Sequence, residues 1–216
     1  MNNIRECAIQ ITQIDKLGNG KLRIHFSEGE SLILYYSELR GYKLEEGVYI
    51  SPSVYEQLFN EVVGKRAKKR ALYLLEQMDR TEQQLREKLC ISEYPSKCVD
   101  DAIAYVKSFH YLDDQRYAET FTRYKKEKLS RHQIKQKLMM KGVSRETIAD
   151  AIETEYDVDE SVHIRSLLEK KHFSSGTVDE GEFRRVYNYL LRRGFRSSDI
   201  LKEMKTYKIE CLGADW

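Results

Sequence analysis

Residues 130–152, SRHQIKQKLMMKGVSRETIADAI, spell a helix, a glycine stop and a second helix. Ile134 and Leu138 lie four apart and therefore share one face of the first helix. Gly142 suits the left-handed backbone that closes a helix. Ser144 then offers an oxygen to the free amides of the next helix, where Ile148 and Ile152 form a second apolar pair. The pattern recurs on both sides of this stretch. Leu85, Ile134 and Val186 are separated by 49 and 52 residues. The same two intervals relate Leu89, Leu138 and Leu190, then Val99, Ile148 and Ile200, and also Ile103, Ile152 and Met204. Thr81, Ser130 and Glu182 form a start column in the same register, two of them good helix caps. Four apolar columns and a start column on one spacing define an internal repeat of about fifty residues, the signature of a tandem helical array.

Each repeat holds three helices. The periodicity predicts them at 67–78, 82–89 and 97–109, then at 115–128, 131–141 and 145–156, and finally at 160–173, 182–193 and 198–207. An insert at 174–181 accounts for the longer second interval. Ahead of the repeats, residues 5–14 alternate as a strand, Gly18-Asn19-Gly20 turns the chain, and Leu22, Ile24 and Phe26 alternate with polar neighbours in a second strand. A third strand follows at 31–35. Three strands alone make a marginal sheet, so 37–42 and a helix entered at Ser51-Pro52 are expected to cover it. That helix runs through Leu58, Phe59 and Val62 and stops at Gly64. The expected fold is mainly α: three tandem three-helix repeats, winged-helix or helix-turn-helix-like, in an elongated array with a small N-terminal antiparallel β-rich module. The expected divisions are a module at 1–64 and repeats at 65–112, 113–158 and 159–216.

The residues offer little to catalysis. There is no Gly-rich phosphate loop, no HExxH, no nucleophile elbow and no clustered metal-ligand spacing. Cys7, Cys90, Cys98 and Cys211 form no CxxC pair and read as reduced thiols. Asp113-Asp114 stand where a helix begins, as do Asp157 and Asp159, and there a carboxylate accepts exposed amides. No enzyme, cofactor or metal is expected. Without a signal-like start or a run of about 20 apolar residues, the expected location is the cytoplasm, with no membrane contact.

Surface recognition remains. Formal net charge is only +2, so the distribution of charge matters more than its sum. Lys65, Arg66, Lys68, Lys69 and Arg70 form a basic segment that reads either as a phosphate patch or as a solvated turn snorkelling over apolar neighbours. Arg184, Asn188 and Arg192 fall on the helix face opposite Val186 and Leu190. Lys128, Arg131 and Lys135 line the matching helix of the second repeat, while Lys141, Arg193 and Arg196 flank the glycine turns. A DNA reader of helix-turn-helix type would insert the helix 145–153 into the major groove, but Glu146, Asp150 and Glu153 oppose that placement. An adaptor whose linked units lie along a larger assembly fits the charges better.

Several segments together resemble the RecX regulatory proteins, modulators of the RecA recombinase. They are 71–75 followed by Thr81-Glu82-Gln83-Gln84-Leu85-Arg86-Glu87-Lys88-Leu89, and Tyr111-Leu112-Asp113-Asp114-Gln115-Arg116-Tyr117-Ala118. Two more are 134–138 ahead of Lys141-Gly142-Val143, and Tyr189-Leu190-Leu191-Arg192-Arg193-Gly194-Phe195. The chain departs from the family pattern at Lys128-Leu129-Ser130, where many relatives carry glycine, and at 91–95, where the first repeat lacks the Lys-Gly turn. The resemblance implies three tandem three-helix units, docking in the groove of the RecA–DNA filament, and suppression of recombinase, coprotease and ATPase activity in recombination and DNA repair. On that reading the contact residues are Arg131, Lys135, Lys141, Arg184, Arg185, Arg192, Arg193 and Arg196. The protein would act as a monomer, with a weak direct DNA contact possible in principle. The competing expectation is a helix-turn-helix-like nucleic-acid-binding protein that works without a recombinase.

Overall fold

A computed structural model describes residues 8–39, 42–173 and 180–206. Two compact units divide the chain between Asp113 and Asp114.

The N-terminal unit begins with β1 (Ile9–Gly18), β2 (Lys21–Phe26), β3 (Leu32–Tyr35) and β4 (Tyr49–Ile50). They form one antiparallel sheet of order β3-β2-β1-β4. The first strand continues four residues past the expected end at 14, because Asn19 and Gly20 both adopt positive φ and supply the tight hairpin turn themselves. The fourth strand is an addition to the expected three. Its two residues pair with Ile9 and Gln10, too short a run to show alternation. Ile11, Ile24, Leu32 and Leu34 are fully buried on the covered face.

That face packs on a continuous helical run: α1 (Pro52–Glu56), a π-helical segment (Gln57–Gly64) and α2 (Lys65–Gln77). Ser51 caps it as expected, its side chain accepting from the Val54 amide, with Pro52 in the first turn. The expected stop at Gly64 does not occur. Its φ of −63° and ψ of −44° are helical, and the missing side chain leaves room where a Cβ would lie 3.3 Å from the Phe59 carbonyl. That carbonyl belongs to the π segment, and the Cys98 thiol donates to it at 3.7 Å. One core thus runs from Ile11 and Leu58 through Ala67 and Leu74 to the rest of the first repeat.

That repeat continues with α3 (Glu82–Ile91) and α4 (Ser96–Ser108). The second repeat has α5 (Asp114–Lys125), α6 (Arg131–Met140) and α7 (Arg145–Glu155). The third has α8 (Glu160–Lys170), α9 (Glu180–Arg192) and α10 (Ser197–Thr206). Among the twelve column residues, all are buried except Ile152, which is half-buried beside the fully buried Ala151. Thr81 and Ser130 both form capping boxes, with Gln84 and Gln133 reaching back to the cap amide. Glu182 is not a start: α9 begins two residues earlier, at Glu180, and Glu182 lies in its first turn. Asp159 caps α8 and Asp114 opens α5, the structural role expected of both.

No helix among the described residues is long and apolar enough to cross a membrane. Cys90 is exposed and Cys98 buried, both as free thiols, while Cys7 and Cys211 lie outside the described residues. Burial, reinforced by the Asp101 carboxylate, pushes the Cys98 thiol up to about 11. At pH 8, N-ethylmaleimide is therefore expected to modify Cys90 rapidly and Cys98 only after unfolding. Peptide mass mapping would refute this by finding both residues labelled at one rate.

Candidate recognition surface

Each repeat ends its middle helix with the same backbone device. In the first, the Tyr94 amide donates to the Leu89 carbonyl and the Glu93 amide to the Cys90 carbonyl. In the second, Val143 donates to Leu138 and Gly142 to Met139; in the third, Phe195 donates to Leu190 and Gly194 to Leu191. These are Schellman closures, which need a left-handed residue after the helix. Gly142 and Gly194 supply it with φ of 82° and 81°, and Glu93 supplies it with φ of 59°. The first repeat therefore keeps the turn without the Lys-Gly pair. The Glu93 carboxylate is held by Arg23.

In the C-terminal unit the second and third repeats meet at this turn. Ser130 Oγ accepts from the Gln133 amide at 3.2 Å and donates to the Arg193 carbonyl at 2.6 Å. A Cβ on Gly194 would lie only 2.4 Å from the His132 side chain, so the glycine is required by shape as well as by φ. Arg131 completes the junction. Its amide donates to Glu160 Oε1 at 2.8 Å, its guanidinium donates to the Tyr156 carbonyl at 2.9 Å, and it stacks over the Tyr156 ring at 4.6 Å. Tyr156 is buried and donates its hydroxyl to the Leu129 carbonyl, with its pKa raised by desolvation.

The eight expected contact residues divide accordingly. Arg131 is a junction residue. Arg193 lies over the Tyr189 ring at 4.7 Å, and Lys141 lies over Tyr117 and Phe121 at 5.6 and 5.9 Å. Arg184 pairs with Glu180 at 3.1 Å across one helical turn. Lys135, Arg185, Arg192 and Arg196 are exposed, and their side chains have no ion-pair partner among the described residues. They sit on α6, α9 and the turn after α9, elements joined at the Ser130–Arg193 contact.

The C-terminal ends of α5 and α7 are tied together. Arg123 makes two hydrogen bonds to Glu155, at 2.9 and 2.5 Å, which hold the Glu155 carboxyl below its ordinary range. Lys126 pairs with Asp157 at 2.7 Å. On α7, Glu146, Asp150 and Glu153 are exposed, so the helix that would enter a DNA groove presents carboxylates to it. Reading side chains one helix at a time could not find Ser130, His132 and Glu160 as junction residues, because their partners are 63, 62 and 29 residues away in sequence. Among the described residues no group of three or more His, Cys, Asp and Glu side chains is placed to hold a metal.

Tandem three-helix units, each closing on a helix-turn-helix pair, define a class of helical-repeat protein. A family model described as "RecX, first three-helix domain" matches residues 67–106, and one described as "RecX, second three-helix domain" matches 113–152. The regulatory protein RecX of Caldanaerobacter subterraneus subsp. tengcongensis is 31% identical over 163 residues, covering 74% of this chain and 80% of the relative. That of Clostridium botulinum (strain Eklund 17B / Type B) is 26% identical over 202 residues, covering 90% and 94%. The chain belongs to the RecX family. Its fold is also that of a crystal structure of regulatory protein RecX, with a TM-score of 0.60 at 20% identity over 92% of this chain and 99% of that one. A RecX from Lactobacillus salivarius gives a TM-score of 0.55 at 18% identity, over 67% and 96%.

Proposed function

We propose that this chain is a non-catalytic, cofactor-independent regulator that docks as a monomer on the RecA–DNA filament and lowers recombinase activity in recombination and DNA repair. Membership of the RecX family supports the partner. The observation that carries the surface is the set of exposed cations Lys135, Arg185, Arg192 and Arg196, without an ion-pair partner among the described residues, on elements that meet at one junction. Cations without an internal partner lose no ion pair on binding, so they are suited to steering the encounter with a polyanionic filament. Arg131, Lys141 and Arg193 instead orient the elements that carry them. The acidic face of α7 weighs against groove insertion by a DNA reader.

The test is RecA-dependent ATP hydrolysis on single-stranded DNA, with this protein added below the RecA concentration. A fall in rate is expected; an unchanged rate would remove the proposed activity. Arg185→Glu combined with Arg192→Glu should weaken that inhibition by about tenfold, or about 1.4 kcal/mol, with the helical circular dichroism unaltered. If the double variant inhibits like the parent, the surface lies elsewhere.

A further inference from the structure

The basic segment at the start of α2 is only partly absorbed by the fold. Lys65 pairs with Glu61, and Lys68 lies over the Tyr105 ring at 5.4 Å. Arg66, Lys69 and Arg70 turn instead toward a pocket of about 400 Å³ within the N-terminal unit, which they line together with Lys21, Tyr35 and Tyr94. The volume falls in the range of roughly 300–1,000 Å³ typical of ligand sites.

The walls are built, and they are positive. Arg66 is fixed by Glu38 at 2.5 Å and by the Ile33 carbonyl, with its guanidinium 4.9 Å from the centre of the Tyr35 ring and 5.6 Å from that of Tyr94. Both tyrosines are thereby held in place. Lys21 approaches the Tyr35 ring at 5.7 Å and Arg70 the Tyr73 ring at 5.3 Å. Lys21, Lys69 and Arg70 have no ion pair among the described residues, and no carboxylate lines the pocket. Three uncompensated cations around one concavity repel each other and focus a positive potential into it. An anion relieves that repulsion. Lysine and arginine donors beside tyrosine rings and hydroxyls are the groups that hold phosphate oxygens and the base next to them.

We propose that this pocket is a nucleotide-phosphate site, with Lys21, Lys69 and Arg70 as the phosphate donors and Tyr35 and Tyr94 as the aromatic wall. Its phosphate comes either from a nucleic-acid strand or from a free nucleotide. The site is independent of the filament contact above, since its residues belong to the other compact unit and its test contains no recombinase.

The experiment measures anisotropy of a fluorescein-labelled oligothymidylate with the full chain at low salt. Lys69→Ala with Arg70→Ala is expected to weaken binding at least about fivefold and to lower the slope of log affinity against log salt by about one to two. Lys21→Ala, on β2 rather than α2, should also weaken binding, so the test survives a folding defect in the first variant. Displacement of the labelled strand by unlabelled strand but not by millimolar thymidine monophosphate identifies a strand as the ligand. Displacement by the mononucleotide as well identifies the free nucleotide. Parent-like binding by both variants, or no binding of either probe by the parent, overturns the proposal.

Discussion

Alanine at Gly194 is expected to destabilise the C-terminal unit by about 2–5 kcal/mol. Two costs add. Gly194 has φ of 81°, a left-handed conformation that costs an L-residue about 1–2 kcal/mol. A Cβ there would also sit 2.4 Å from His132, and relieving such overpacking costs about 1–3 kcal/mol. The internal control is Glu93, which holds the same turn of the first repeat in the left-handed conformation with a full side chain already accommodated. Glu93→Ala removes only an exposed pairing with Arg23 and should change stability by less than about 1 kcal/mol. Urea denaturation followed by circular dichroism distinguishes the two. Equal effects at both positions would mean that neither the left-handed backbone nor the His132 contact penalises a side chain at Gly194. Under conditions where Gly194→Ala stays folded, the proposed inhibition of the recombinase should also fall, because Arg192 and Arg196 flank that turn.

Leu138→Ala is the second large effect, at about 2–5 kcal/mol. Leu138 is fully buried in the core of the second repeat, where it joins Ile134, Val143, Ile148 and Tyr156. Two other buried members of that cluster, Ala118 and Ala151, are already small, so few side chains can relax into the cavity. Only two residues along α6, Met140 is 87% exposed, and Met140→Ala should stay within about 0.5 kcal/mol. Similar losses at the two positions would contradict the placement of the apolar columns in separate small cores.

The repeats were legible because helix formation is local. Apolar residues at three- and four-residue spacing, a hydroxyl cap and a glycine stop are neighbours in sequence, and equal intervals copied them. The closure at Glu93 was hidden, since a glutamate carries no signal for positive φ. Here the neighbouring contacts hold it there: Tyr94 returns its amide to Leu89 and Arg23 anchors the carboxylate. The helix through Gly64 was misjudged for the opposite reason. Glycine permits a stop without requiring one, and close packing around Phe59 and Cys98 used its lack of a side chain instead. Strand β4 is two residues long and acquires its identity only from Ile9 and Gln10 across the ladder.

The candidate surface was legible as a list of cations and illegible as a set of roles. The Glu180–Arg184 pair is one case the sequence could have disclosed, since residues four apart on a helix are neighbours. Short-range order, then, was written in this chain by itself: the periodic apolar columns, the Thr81 and Ser130 caps, and the hairpin at Asn19-Gly20. Beyond the Glu180–Arg184 pair, tertiary structure decided which charges are engaged. Arg131 meets Tyr156, Ser130 meets Arg193 and Arg66 meets Glu38 across 25, 63 and 28 residues. Contacts at such separations exist only once the chain has closed the intervening loops, and closing them depends on the packing of whole elements rather than on any local preference.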